Sequence, residues 1–223
     1  MRIRTLLLFC GSPLLSLCAG EIPLTDLTRF DSLNAITEIS TYHGRRALHV
    51  TELKTGEGAP GEAHLILKNQ SFHNGTIDLE VSGAPSKTAD PTARGFIGIV
   101  FRLTADGSHS EIMYVRPSNA RAEDQLARNH TLQYASTPDW GWRALREKFP
   151  AQYESYADMQ AGEWVHMRVV VHGKEARLFV GKAEQPGLIV KEMKLGDSEG
   201  RVALWVGPGT DGYFRDFRIT ALE

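Results

Sequence analysis

The stretch from Arg116 to Tyr134, RPSNARAEDQLARNHTLQY, holds three arginines, two acids and a run of amide and imidazole side chains. Arg116, Asn119, Arg121, Asp124, Gln125, Arg128, Asn129, His130, Gln133 and Tyr134 are the kind of groups that hold sugar hydroxyls. They offer planar amides, guanidinium forks and carboxylates with several fixed donors and acceptors. Four rings follow in a short span: Trp140, Trp142, Tyr153 and Tyr156. Flat rings stack on the apolar faces of pyranoses and supply large contact area. Each group also has a plainer use. Polar loops are solvated by default, and rings in a loop commonly pin it to the body of a domain.

Hydrolysis of a glycoside would need two carboxylates at a set separation. Glu111, Asp124, Asp139, Glu154 and Asp158 are available, and nothing in the sequence pairs them. Arg102 and Glu111 stand on two successive strand-like runs. If those strands are neighbours, the two side chains could meet as the charged floor of a sugar site, or simply as a cross-strand salt bridge. His109 and Glu111 alternate on one face, and His130 could complete a metal set. A lone histidine is more often structural.

These residues need a frame. AHLILK (Ala63–Lys68), GTIDLEVSG (Gly75–Gly83), GFIGIVFRL (Gly95–Leu103) and EIMYVRP (Glu111–Pro117) are short, rich in β-branched residues and mostly alternating. So are EWVHMRVVVHG (Glu163–Gly173), EARLFVG (Glu175–Gly181), RVALWVG (Arg201–Gly207) and YFRDFRIT (Tyr213–Thr220). Period-two alternation marks half-buried antiparallel strands. His172-Gly173-Lys174 reads as a hairpin turn, and Gly181–Gly187 as the next loop. Asp139–Phe149 alone looks helical, stopped by Pro150. Trp164 and Trp205 fall inside strong strands and read as core. Many short strands without βαβ alternation predict an all-β fold, a two-sheet antiparallel sandwich with a short helical insertion.

The chain has 223 residues, a formal net charge of −2 and two cysteines, Cys10 and Cys18. Arg2 and Arg4, the apolar run Leu6–Leu17 and the small residues Cys18-Ala19-Gly20 have the layout of a signal peptide cleaved near Gly20. The run is too short to span a bilayer, and no later stretch is a membrane helix. The protein is therefore expected to be exported, periplasmic or extracellular. A lipoprotein anchored at Cys18 is the less favoured variant, because Leu17 stands where a small residue is normally needed. Residues 21–223 would form one domain held by an ordinary apolar core, with no disulfide and no thiolate site. Near-neutral charge argues against an electrostatic nucleic-acid binder.

The C-terminal third, with its Trp-led strand, Gly hairpin, L-F-V-G strand, R-V-A-L-W run and closing Y-F-R-D-F strand, resembles concanavalin A-like (laminin-G-like) jelly-roll domains. GFIGIVFR followed by SEIMYVRP is similar to the middle of the bacterial 3-keto-disaccharide hydrolase-type domain. The resemblance spans about residues 60–222 and implies a jelly-roll sandwich whose concave sheet carries a ligand site. It implies Glu111 as the catalytic acid of a hydrolase, although Met113 replaces the Gln of that pattern. The E-x-D-x-x-E strand of laminarinase-type relatives is absent. Calcium is common in this superfamily, so a divalent cation is compatible with the resemblance, while no cofactor is evident in the residues. Three functions stay open: an exported carbohydrate-binding domain, a glycoside-cleaving enzyme, and a protein-interaction module. Oligosaccharide or polysaccharide is the expected partner in the first two.

Overall fold

The structure, a computed structural model, describes residues 19–53 and 62–222. Most of the expected signal segment, both cysteines and residues 54–61 lie outside the described residues.

Among the described residues, fifteen strands, three short α-helices and one 3-10 turn (Leu27–Arg29) follow one another. The strands are β1 (Ala19–Glu21), β2 (Phe30–Leu33), β3 (Ala35–Tyr42), β4 (Arg45–Glu52), β5 (Ala63–Leu67), β6 (Gly75–Pro85), β7 (Ile97–Leu103), β8 (Ser110–Val115), β9 (Leu132–Thr137), β10 (Glu154–Ser155), β11 (Val165–His172), β12 (Glu175–Val180), β13 (Leu188–Val190), β14 (Arg201–Val206) and β15 (Thr210–Ala221). The helices are α1 (Pro117–Ala120), α2 (Gln125–Asn129) and α3 (Trp142–Lys148). One sheet runs β13-β12-β11-β6-β15-β4-β3, with β1 added beside β15. The other runs β10-β9-β8-β7-β14-β5-β2. Every strand pairing is antiparallel, so the expected two-sheet sandwich is what forms.

The two-residue period is why the layers face each other. In β6, Ile77, Leu79 and Val81 are buried, while Thr76, Asp78 and Glu80 alternate outward. β11 does the same with Met167, Val169 and Val171. These residues pack on Ile97, Ile99, Phe101, Met113, Leu204 and Val206 of the other sheet in one continuous core. Each fully buried side chain of this size contributes about 1.5–3 kcal/mol of transfer free energy. The Gly173-Lys174 turn closes β11 on β12 as anticipated, with Gly173 at φ 56° and His172 opposite Glu175.

The central strands of the seven-stranded sheet are buried on both faces. All seven residues of β7 and all six of β8 are buried. One face meets the core. The other is covered in part by α3, by the 86–96 segment and by the 207–209 turn, and between these covers lies a cleft.

Candidate functional site

A cross-strand row sets the floor of that cleft. In register across β9, β8, β7, β14 and β5 stand Gln133, Tyr114, Gly98, Trp205 and His64. Paired residues of an antiparallel ladder share a face, so these side chains all turn away from the core. The next row out, Ala135, Ile112, Val100 and Ala203, shares the same face. Gly98 is what lets the two rings of the floor close together. A Cβ there would come within 2.5 Å of the Tyr114 Cβ and 2.3 Å of the Met113 carbonyl oxygen. Over the bare glycine, Tyr114 and Trp205 lie 4.9 Å apart at 50°. Phe96 meets the far edge of Tyr114 at 6.4 Å.

Both floor rings are fixed by their polar handles. Trp205 Nε1 donates to Glu62 Oε2 at 3.0 Å. Arg116 donates to the Tyr114 hydroxyl at 2.8 Å, to Gln133 Oε1 at 3.1 Å and to the His130 carbonyl at 2.9 Å. Burial pushes the Tyr114 phenol up to about 12. Burial also lowers the Arg116 guanidinium from its ordinary value, with Tyr114 working in the other direction. Held this way, the rings lose little further freedom when a ligand lands on them.

The cleft measures about 890 Å³. Its walls are Thr92, Ala93 and Phe96 on one side, Pro138, Gly141 and Trp142 on another, and Glu52, Leu53, Glu62 and His64 at the end. Trp142 is the exposed ring, 40% open to solvent, with Arg146 4.8 Å and Arg143 5.2 Å from its centroid. His64 is held below its usual range mainly by burial, which the Glu62 charge partly offsets.

Of the residues singled out in the sequence, Trp142 lines this cleft directly, and Arg116 and Gln133 brace Tyr114 from beside it on the same outer face. Asn129 and His130 line a smaller adjoining hollow of about 570 Å³ with Arg146 and Glu154. There His130 Nε2 lies 3.2 Å from Glu154, which also takes a forked pair of bonds from Arg146. Burial lowers His130 from its usual value, against the pull of Glu154. The rest of the Arg116–Tyr134 stretch is occupied structurally. It forms α1, α2 and the start of β9 rather than a loop. Asp124 caps α2 through the Leu126 amide, and Gln125 donates to Asn129 one turn on. Arg121 binds Asp158 and Gln160, Arg128 reaches the Tyr156 hydroxyl, and Asn119 donates to the His130 carbonyl.

The structure corrects the expectations for Arg102, Glu111, Tyr134, Trp140 and Tyr153. Phe101, not Arg102, stands opposite Glu111, so Glu111 shares the core face with Phe101 and is 0% exposed. It accepts from the Leu195 amide at 2.7 Å and from the Tyr134 hydroxyl. It is therefore no acid for a ligand on the outer face, and Tyr134, on the same core face, lines no cleft. Arg102 leaves the alternation altogether, at φ 52° beside a bulge with β14. Its buried guanidinium donates to the carbonyls of His73, Gly173 and Gly196, bridging the two layers at one end. Trp140 and Tyr153, with Phe149, surround the Lys194 ammonium at 4.8, 4.7 and 4.1 Å instead of facing a ligand. Conversely, Trp205, read as core, is buried but on the cleft side. The signal that could have found the floor is the outward set of the central strands, Gly98, Tyr114 and Trp205, where the apolar alternation carries glycine and rings in place of polar residues.

The metal set of His109, Glu111 and His130 does not assemble, since Glu111 is interior and His130 pairs with Glu154. Among the described residues no three His, Cys, Asp or Glu side chains group so as to hold a metal ion. No helix among them is long and apolar enough to cross a membrane.

The fold is a two-sheet jelly-roll sandwich, and solved structures share it. The carbohydrate-binding module CBM66 of Bacillus subtilis superposes with a TM-score of 0.59 over 87% of this chain and 98% of its own, at 10% identity. A proposed glycosyl hydrolase of Parabacteroides distasonis gives 0.52 over 89% and 90%, at 11% identity. The exoplasmic/lumenal domain of VIP36, in a form bound to Ca2+ and Man3GlcNAc, gives 0.51 over 88% and 84%, at 10% identity. No protein-family model matches the chain. No curated protein matches it by sequence.

Proposed function

We propose that this protein is an exported carbohydrate-binding domain whose glycan lies across the outer face of the seven-stranded sheet. The observation that carries this is the rigid aromatic floor. Tyr114 and Trp205 lie side by side over Gly98, each held by a hydrogen bond, in an open cleft of about 890 Å³ with Trp142 at the rim. Pre-positioned rings present apolar faces to pyranose C–H groups, while Glu62, His64, Thr92 and Ser110 supply polar edges for hydroxyls. Two sandwich neighbours support the reading by what they are: a carbohydrate-binding module, and a domain bound to Man3GlcNAc. The calcium belongs to that second neighbour, and the present reading routes no contact through a metal. Export rests on the N-terminal charge and hydropathy layout alone.

Titrating the protein with a glycan panel, read by tryptophan fluorescence and calorimetry, tests this. A cognate glycan should quench emission, and Trp142→Ala or Trp205→Phe should weaken it by about tenfold, roughly 1.4 kcal/mol. A flat response across the panel would remove the reading. A cleaving enzyme is the second reading, because three carboxylates, Glu52, Glu62 and Asp90, line the same cleft. It predicts release of reducing sugar that Glu62→Gln abolishes while Glu111→Gln retains it.

A further inference from the structure

The charge of the cleft is one-sided. Its acids, Glu52, Glu62 and Asp90, line it with a single histidine, His64, while its guanidinium groups, those of Arg116, Arg143 and Arg146, stand around Tyr114 and Trp142 at the other end. Of the three acids, Glu52 is the unusual one. It ends β4 and is only 7% exposed. Its Oε1 accepts from the Gly209 amide at 3.1 Å, while Oε2 is buried with no hydrogen-bond partner among the described residues. His64 Nδ1, on the same wall, is equally buried and equally without one. Leaving such an atom unpaired is costly, and a charged one more so. An ionised carboxylate can only accept, so whatever satisfies Oε2 must donate.

From this geometry we infer that the cleft selects sugars bearing a free, protonated amino group, with Glu52 as the specificity-determining residue and Glu62 as its support. The inference rests on the cleft being a glycan site. An ammonium supplies three donors and no acceptor, and it brings the charge that the wall lacks. A ring stacked on Tyr114 and Trp205 places one edge toward the Glu62–His64 end, since Glu62 is bonded to the Trp205 nitrogen itself. An N-acetyl group at that edge would present a carbonyl to the acids and lose the charge. A uronate would meet three like charges, and selectivity of this kind comes from the repelled ligand as much as from the favoured one.

Calorimetry on the whole chain with four trisaccharide probes tests it: glucosamine trimer, its fully N-acetylated form, cellotriose and trigalacturonate. The glucosamine trimer should bind at least about tenfold more tightly than the N-acetylated trimer and cellotriose. Trigalacturonate should show no binding, and the preference should shrink as salt screens the wall. Glu52→Gln should bring the glucosamine trimer to the affinity of its N-acetylated form. Glu62→Gln, at an exposed position that does not threaten folding, should reduce the preference. Equal affinity for the amino, acetylated and neutral trimers, or a preference for trigalacturonate, would overturn the inference and leave the glycan-site reading standing. Silence from all four probes together with a flat response to the wider panel would overturn both.

Discussion

Glu111 and Arg102 show how a single register position decides a residue's role. Both are chemically competent, and both stand on the two strands that build the cleft floor. Moving Glu111 by one residue would aim it at a ligand. As folded, it holds the 193–197 segment to the core through the Leu195 amide, while Tyr134 links it to the Lys194 amide. Burial raises its carboxyl above the ordinary value, against the two hydrogen bonds that favour the ionised form. Glu111→Gln should therefore cost stability, about 1–3 kcal/mol, because the new amide turns a donor toward a donor. Arg102→Ala should cost more, about 3–5 kcal/mol, since three carbonyls lose their donor together and Asp197, 3.7 Å from the guanidinium, loses its counter-charge. Denaturant melts measure both. Glycan affinity should be unchanged in Glu111→Gln, and a loss of affinity at constant stability would return Glu111 to the site. At this scale the sequence identified reactive types but not facing, because alternation tells which residues share a side and not which side is inward.

Strands were legible where one face was strongly apolar. All eight of the expected runs are strands, with boundaries within a few residues, and α3 falls inside Asp139–Phe149. The β3–β4 hairpin carried no such signal. ITEISTY and RRALHVTE bury little on their outer side, and their turn is His43-Gly44, at φ 47° and 71°. β9 was hidden inside the polar stretch, because its core contacts are Leu132 and Tyr134 alone among amides and small residues. The N-terminal edge is the element with a consequence. β1 pairs Ala19, Gly20 and Glu21 with Thr220, Ile219 and Arg218, and the Ile22 amide continues the ladder to Phe217. Cleavage after Gly20 would remove two of its three residues. Under the proposed export, we therefore expect a processed N-terminus at or before Ala19, read by intact mass of protein recovered outside the cytoplasm. A chain starting at Glu21 should melt at a lower temperature than one starting at Ala19, and equal melting would show that β1 adds nothing.

Over the whole molecule, the cleft draws on β4, β5, β7, β8, β9 and β14 and on three connecting segments, so no local stretch of sequence contains it. That is why the fold could be anticipated and the site only in part. The same assembly fixes how stability responds to acid. His64 and His130 are both held below their usual range, chiefly by burial. The unfolded chain therefore binds protons at these positions near pH 6.5 while the folded chain does not, and stability must fall as pH drops below that value. Each histidine can contribute a slope of at most about 1.4 kcal/mol per pH unit. Glu111, shifted upward, acts in the opposite sense at lower pH, because the folded state then holds the extra proton. The difference between the protein and His64→Gln cancels that contribution. Melts between pH 7.5 and 5 should show the wild-type protein losing stability faster than the variant as the solution is acidified. Parallel curves would mean that His64 takes up its proton as readily inside the cleft wall as in water, and that the wall is wetter than its burial implies.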